Sequence, residues 1–154
     1  MPHELTINSE IEKTLRAELE PRADVEAMRL KRFLAMADLS RTEGSPLREI
    51  IKKMLAMPEF ADFDVVKVPE IVPAKESFDL FNFPPDHPAR SKSDTYYVND
   101  EYILRTHTTI MWYYFLQDPL VRERMARGEP VGCFSHGKVY RKDEIDRNHM
   151  NVFH

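Results

Sequence analysis

Cysteine is almost missing from this chain: its 154 residues hold one, Cys133. A single thiol excludes an internal disulfide framework and a cysteine-rich zinc site. Cys133 lies between Val131 and Phe134 in an apolar stretch, which reads as a buried, inert thiol. A strong excess of one charge is missing too. The 22 Lys and Arg against 26 Asp and Glu leave a formal net charge of −4, with no global pull toward nucleic acid or an anionic membrane. No apolar run approaches the roughly 20 residues that span a bilayer. No Gly-x-x-x-x-Gly-Lys-Ser/Thr loop occurs, which excludes a P-loop nucleotide site. Six histidines are present, but there is no His-Glu-x-x-His and no pair four apart on one helix, so no metal site is expected. The chain opens Met1-Pro2-His3-Glu4 without a basic segment leading into an apolar one. No signal peptide is expected, and a cytoplasmic location is the default.

What is present is ordinary for a globular domain: 42% hydrophobic and 31% charged residues. The length fits a single domain with a modest core. The pattern then changes along the chain. Ser9 caps a helix over 9–20, with Ile11, Leu15 and Leu19 spaced by four and Pro21 ending it. Asp24 caps a second over 24–37, with Val25, Met28, Phe33, Leu34 and Met36. Its Arg29-Lys31-Arg32 run reads as a solvated face or an RNA contact. Ser45 and Pro46 open the third helix, whose Leu47, Ile50, Ile51, Met54 and Leu55 predict one buried stripe. A β-branched strand over 63–68 follows. Five prolines between 69 and 91 predict an irregular crossing and no helix. Strands are expected at 95–98, 102–105, 131–135 and 138–142, and from 152 onward, with a helix starting near Ile110. The order is α+β: helices first, then a mostly antiparallel sheet. The chain stops at Val152-Phe153-His154, inside what reads as a strand.

The segment from Val139 to His154 concentrates the chemistry. Arg141 at a strand end has the rigid fork that holds a phosphate bidentately. Arg147 and His149 lie in the following polar loop, Asp143 is placed to accept from an amino group, and Phe153 on the return strand offers a ring that stacks on a base. These residues make either a nucleotide clamp or a solvated charged hairpin with a core phenylalanine; pattern alone leaves both open.

Four ordered segments add a resemblance. They are Phe78-Asp79-x-x-Asn82-x-Pro84, His87-Pro88-Ala89-Arg90-x-x-x-Asp94-Thr95-Tyr96-Tyr97, Leu104-Arg105-Thr106-His107-Thr108-Thr109, and Gly137-Lys138-Val139-Tyr140-Arg141-x-Asp143 with Asp146, His149 and Phe153-His154 behind it. In this order they resemble the catalytic core of the phenylalanyl-tRNA synthetase alpha subunit, a class II aminoacyl-tRNA synthetase. The resemblance covers roughly residues 45–154. It divides the chain into an N-terminal helical segment, 1–44, and a partial catalytic domain, 45–154, whose antiparallel sheet is incomplete at the C-terminus. Class II motif 1, the dimer-interface element, falls at about 45–70, and motif 2 at about 137–154.

The resemblance implies an enzyme that makes phenylalanyl-adenylate from phenylalanine and ATP with Mg²⁺ and then charges tRNA(Phe). It implies a beta-subunit partner in a heterotetramer. By position, Arg141 matches the catalytic arginine on the ATP α-phosphate, His149 the loop histidine near the outer phosphates, Phe153 the ring on adenine, and Asp143 an acidic residue near the nucleotide. His107 and Thr109 match a His-x-Ser pair that holds the amino acid. Ser93 stands where relatives have Trp or Gln beside that substrate. The family's ammonium-binding Gln and Glu, its aromatic pocket and motif 3 lie beyond residue 154, as do the expected Mg²⁺ ligands. The chain alone is therefore expected to be inactive. A non-catalytic paralogue acting as a partner- or RNA-binding module is the alternative.

Overall fold

Helix boundaries follow local chemistry closely in the computed structural model, which describes residues 3–154; Met1 and Pro2, where the expectation of no leader begins, lie outside the described residues. Helix α1 spans Glu10–Leu19, and the Ser9 hydroxyl accepts the Glu12 N–H at 3.0 Å. Helix α2 spans Val25–Ala35, and the Asp24 carboxylate accepts the Ala27 N–H at 3.0 Å. Such caps each contribute about 1 kcal/mol. Leu15 and Leu19 of α1 and Ala27, Leu30 and Phe33 of α2 are buried, whereas Val25 and Met28 face solvent.

Helix α3, Pro46–Leu55, forms where expected, but no residue of its apolar stripe is fully buried. Ile50 is 55% exposed and Met54 43%. Amphipathic spacing selects the face to be covered and says nothing of what covers it.

Strand β2, Asp64–Lys67, lies between β1, Glu4–Thr6, and β5, Cys133–Phe134, and pairs with both in parallel. The α+β class stands, but the mostly antiparallel sheet does not describe this ladder. Parallel neighbours need long crossovers. Here α1–α3 carry the chain from β1 to β2, and the helices after residue 73 carry it from β2 to β5. The antiparallel expectation holds for two smaller pairs: β3, Ile71–Pro73, with β4, Tyr102–Leu104, and β6, Val139–Tyr140, with β7, Val152–Phe153. Residues 95–98 form no strand and contribute only a bridge between Tyr97 and Ile103.

The proline-rich crossing contains a helix after all. Helix α4, Ala74–Asp79, occupies the proline-free gap between Pro73 and Pro84. Pro73 sits at its N-cap, where a missing N–H costs nothing, and the Ser77 hydroxyl donates back to the Pro73 carbonyl at 2.7 Å. Helices α5, Met111–Phe115, and α6, Pro119–Ala126, replace one longer helix because Asp118 starts a new cap, accepting from the Leu120 and Val121 amides.

The β3–β4 pair divides two apolar cores by alternation. Ile71 opposes Leu104, and both face a core made with α1, α2, Tyr96, Tyr140 and Val152. Val72 opposes Ile103, and both face a core made with β2, α4, α5, α6 and Cys133. Burial raises the Cys133 thiol to about 11, helped by the charge of Asp64, so it is inert as expected. The brace His87–Tyr97 serves this scaffold. His87 stacks on Phe83 at 4.6 Å, Arg90 pairs with Asp79, Thr95 donates to the Ala89 carbonyl and Tyr97 to the Arg90 carbonyl.

Candidate active site

The β6–β7 pair carries Arg141 and Phe153 into register. Val139 opposes Phe153 and Tyr140 opposes Val152. The Arg141 N–H donates to the Asn151 carbonyl at 3.0 Å, and the Asn151 side-chain amide donates to the carbonyls of Arg141 and Asp143, closing the hairpin without apolar residues. Arg141 Nε donates to the Thr106 carbonyl at 3.3 Å, and its guanidinium lies 5.3 Å from the centre of the Phe153 ring. That arrangement orients the fork and leaves both terminal nitrogens for an anion.

Arg141 and Phe153 line a cavity of about 310 Å³ together with His107, Thr109, Ser135, His136 and His154. His107 Nε2 lies 3.2 Å from the Ser77 carbonyl, so Nε2 carries the proton and donates. Its Nδ1 is then an acceptor, buried with no partner. Burial lowers the His107 pKa against the Ser77 bond, and the Arg141 charge lowers it further, so the ring stays neutral. Ser135 Oγ is likewise buried and unpartnered. His107 and Ser135 both line the cavity, and each carries one buried polar atom without a partner.

The wall behind the cavity is built from buried charge. Arg105, 3% exposed, donates to the carbonyls of Lys138, Val68 and Pro69. Lys138, 2% exposed, donates to the carbonyls of Phe33, Leu34 and Met36 at the end of α2 and pairs with Glu70 at 3.0 Å. This ammonium satisfies the orphan carbonyls of a helix C-terminus and opposes its dipole. Glu70 also accepts from Tyr140 Oη at 2.5 Å and pairs with Arg16 at 2.7 Å. Burial alone would raise the Glu70 pKa; the Tyr140 bond and the Lys138 charge outweigh it and hold the carboxyl below its usual range. Gly137 has a φ of +146°, and a Cβ there would collide with Arg105 Nη2, so only glycine fits between β6 and this wall.

The other expected site residues lie outside the cavity. His149 is exposed, with Nδ1 2.8 Å from the Asp146 carboxylate, which also accepts the Asn148 and His149 amides. Those bonds, the Asn148 amide first, lower the Asp146 pKa. The Asp143 side chain faces solvent. Ser93 is exposed and bonds to Ser91 and Asp94. Ser40, Ser135, His136 and His154 line the cavity without having been anticipated. Ser40 Oγ donates to Asp38 at 2.5 Å and lies 2.8 Å from His136 Nδ1, while His154 Nε2 accepts the Leu39 N–H at 2.9 Å. Five of the six histidines lie beyond residue 86, a signal that carries no partner information. Among the described residues, no three His, Cys, Asp or Glu side chains converge to hold a metal ion, and no helix is long and apolar enough to cross a membrane.

A family model for the class II core domain of tRNA synthetases, type F, matches residues 31–154. The chain belongs to this class II tRNA synthetase family. The match begins within α2 and takes in the whole cavity. Relatives of this class II chain include the phenylalanine–tRNA ligase alpha subunits of Thermotoga neapolitana, 34% identical over 137 residues, and Aquifex aeolicus, 35% over 118. These alignments cover 89% and 75% of the class II chain but 39% and 32% of those relatives. The chain thus spans about two-fifths of their length or less. A solved pyrrolysyl-tRNA synthetase from Desulfitobacterium hafniense is similar in fold, with a TM-score of 0.53 at 21% identity, over 94% of this chain and 57% of that one.

Proposed function

We propose that this chain forms the nucleotide- and amino-acid-holding part of a phenylalanine–tRNA ligase alpha subunit, which activates phenylalanine with ATP and passes it to tRNA(Phe). The observation that carries this reading is the convergence of Arg141, Phe153, His107 and Thr109 on one cavity. The phenylalanine carboxylate attacks the α-phosphorus of ATP, and the bond to pyrophosphate breaks. Arg141 neutralises the charge that grows on the α-phosphate oxygens in that step. The free face of Phe153 stacks on adenine. Neutral His107, donating through Nε2 to Ser77, offers Nδ1 as an acceptor to the amino acid, and the Thr109 hydroxyl stands beside it. His149 and Asp143 sit on a solvated loop and reach the nucleotide by closing over it. Ser93 contributes beside the amino acid only by the same kind of rearrangement.

Mg²⁺, when bound with ATP, offsets phosphate charge; no residue of this chain is assigned to it. Residues 45–154 act as the catalytic part, and the segment before residue 45 adds strand β1 to its sheet and packs α1 and α2 on its core. The partly exposed stripe of α3 suits a protein contact, with a second copy or a beta subunit, and the place of work is the cytoplasm. The test is ATP–pyrophosphate exchange by a full-length subunit carrying this segment. Exchange that depends on phenylalanine and is lost in Arg141→Ala supports the reading. Exchange driven by another amino acid, or unchanged in that variant, refutes it.

A further inference from the structure

A second cavity, of about 460 Å³, shares only His136 with the lining of the first, and the proposed chemistry leaves it unused. It opens where the start of α1, the segment after α2 and the link from β2 to β3 meet. Its volume is within the usual range of small-molecule sites. Its lining is charged: Lys13, Arg16, Arg41, Lys67, Arg105 and Lys138 against Glu12, Asp38 and Glu70.

The three carboxylates are already engaged. Glu12 accepts from Arg16 and from the Glu70 N–H, Asp38 from the Ser40 hydroxyl and amide, and Glu70 from Arg16, Lys138 and Tyr140. Lys13, Arg16 and Lys138 are paired with carboxylates, but the other three cations are not matched in the same way. Arg105 donates only to neutral carbonyl oxygens. Lys67 has no ion-pair partner among the described residues. Arg41 makes only long ion contacts, 3.5 Å to Glu4 and 3.8 Å to Asp38, and its Nη2 is buried with no acceptor. A buried guanidinium nitrogen without an acceptor carries the full cost of its desolvation. A compact anion with several oxygens removes that cost and the charge excess together.

We propose that this cavity binds a small phosphate-bearing anion, held by Arg41, Lys67 and Arg105, separately from the nucleotide cavity of Arg141. Calorimetric titration of the 154-residue chain with inorganic phosphate and with pyrophosphate, at constant ionic strength set with chloride, tests it. Saturable binding is expected, weakened at least about fivefold by Arg41→Gln and by Lys67→Gln, as loss of a charge-assisted bond requires. The binding component that Lys67→Gln weakens should persist in Arg141→Ala. Lys67 is exposed on a strand, so Lys67→Gln keeps the test valid if Arg41→Gln fails to fold. Stronger binding of pyrophosphate than of phosphate would mark a diphosphate or phosphate-ester ligand, and equal binding would mark free phosphate. Absence of saturable binding to the folded chain, equal competition by chloride, or loss in Arg141→Ala with retention in Lys67→Gln would each overturn the proposal.

Discussion

Lys138 and Arg141 stand three residues apart on the same strand segment and do opposite work. Lys138 is buried, holds the last carbonyls of α2 and pairs with Glu70. Arg141 is exposed, bonds through Nε alone and keeps its terminal nitrogens free. The difference teaches that a cation in a recognisable motif is not thereby a ligand-binding cation. Burial and the saturation of its donors decide: a cation whose hydrogens are all taken belongs to the fold, and one with donors to spare over a cavity belongs to the chemistry.

The largest effect that would break this comparison concerns Lys138. Lys138→Ala removes a buried partner, leaves the Leu34 and Met36 carbonyls at the end of α2 unsatisfied, and should destabilise the chain by about 3–5 kcal/mol in urea unfolding. A loss below about 1 kcal/mol would mean that the buried cation is dispensable. Arg141→Ala should leave stability within about 0.5 kcal/mol, as for a surface change. In a full-length subunit it should slow ATP–pyrophosphate exchange by about 10²–10³, as for loss of a preorganised donor. A stability loss like that of Lys138→Ala would erase the distinction.

Acid sharpens the same contrast. Burial, then the charge of Arg41, lowers the His136 pKa from 6.5 to about 4. The unfolded chain therefore binds a proton that the folded chain refuses. Stability from this group is intact above about pH 6.5 and falls as pH drops toward about 4. His136→Gln should flatten that part of a plot of unfolding midpoint against pH, and an unchanged slope would remove His136 as the cause. Phe153→Leu is the mildest change. It should raise the KM for ATP more than that for phenylalanine, since it removes a stacking face and keeps apolar bulk; equal changes would count against adenine stacking.

Much of this was legible because it is local. Ser9 and Asp24 cap within three residues, and the hairpin from Arg141 to Phe153 is closed by near neighbours. What escaped is long-range. The three-residue strand β1 has too little alternation to be read, and its parallel partner Val65 lies across three helices. Helix α4 hid among prolines that bound it without entering it. In the site, Arg141, Phe153, His107 and Thr109 were readable by motif, whereas Ser40, Ser135 and His136 join the cavity only through packing. The chain spans about two-fifths of the Thermotoga neapolitana relative's length.

The central claim is that Arg141 is a phosphate ligand poised over a cavity. Titration of ATP into the 154-residue chain and its Arg141→Ala variant, with urea unfolding of the same samples, tests it most directly. Affinity lower by at least about tenfold is expected in the variant, the equivalent of about 1.4 kcal/mol, with the unfolding midpoint unchanged. Unchanged affinity, or a midpoint that falls with it, would contradict the account.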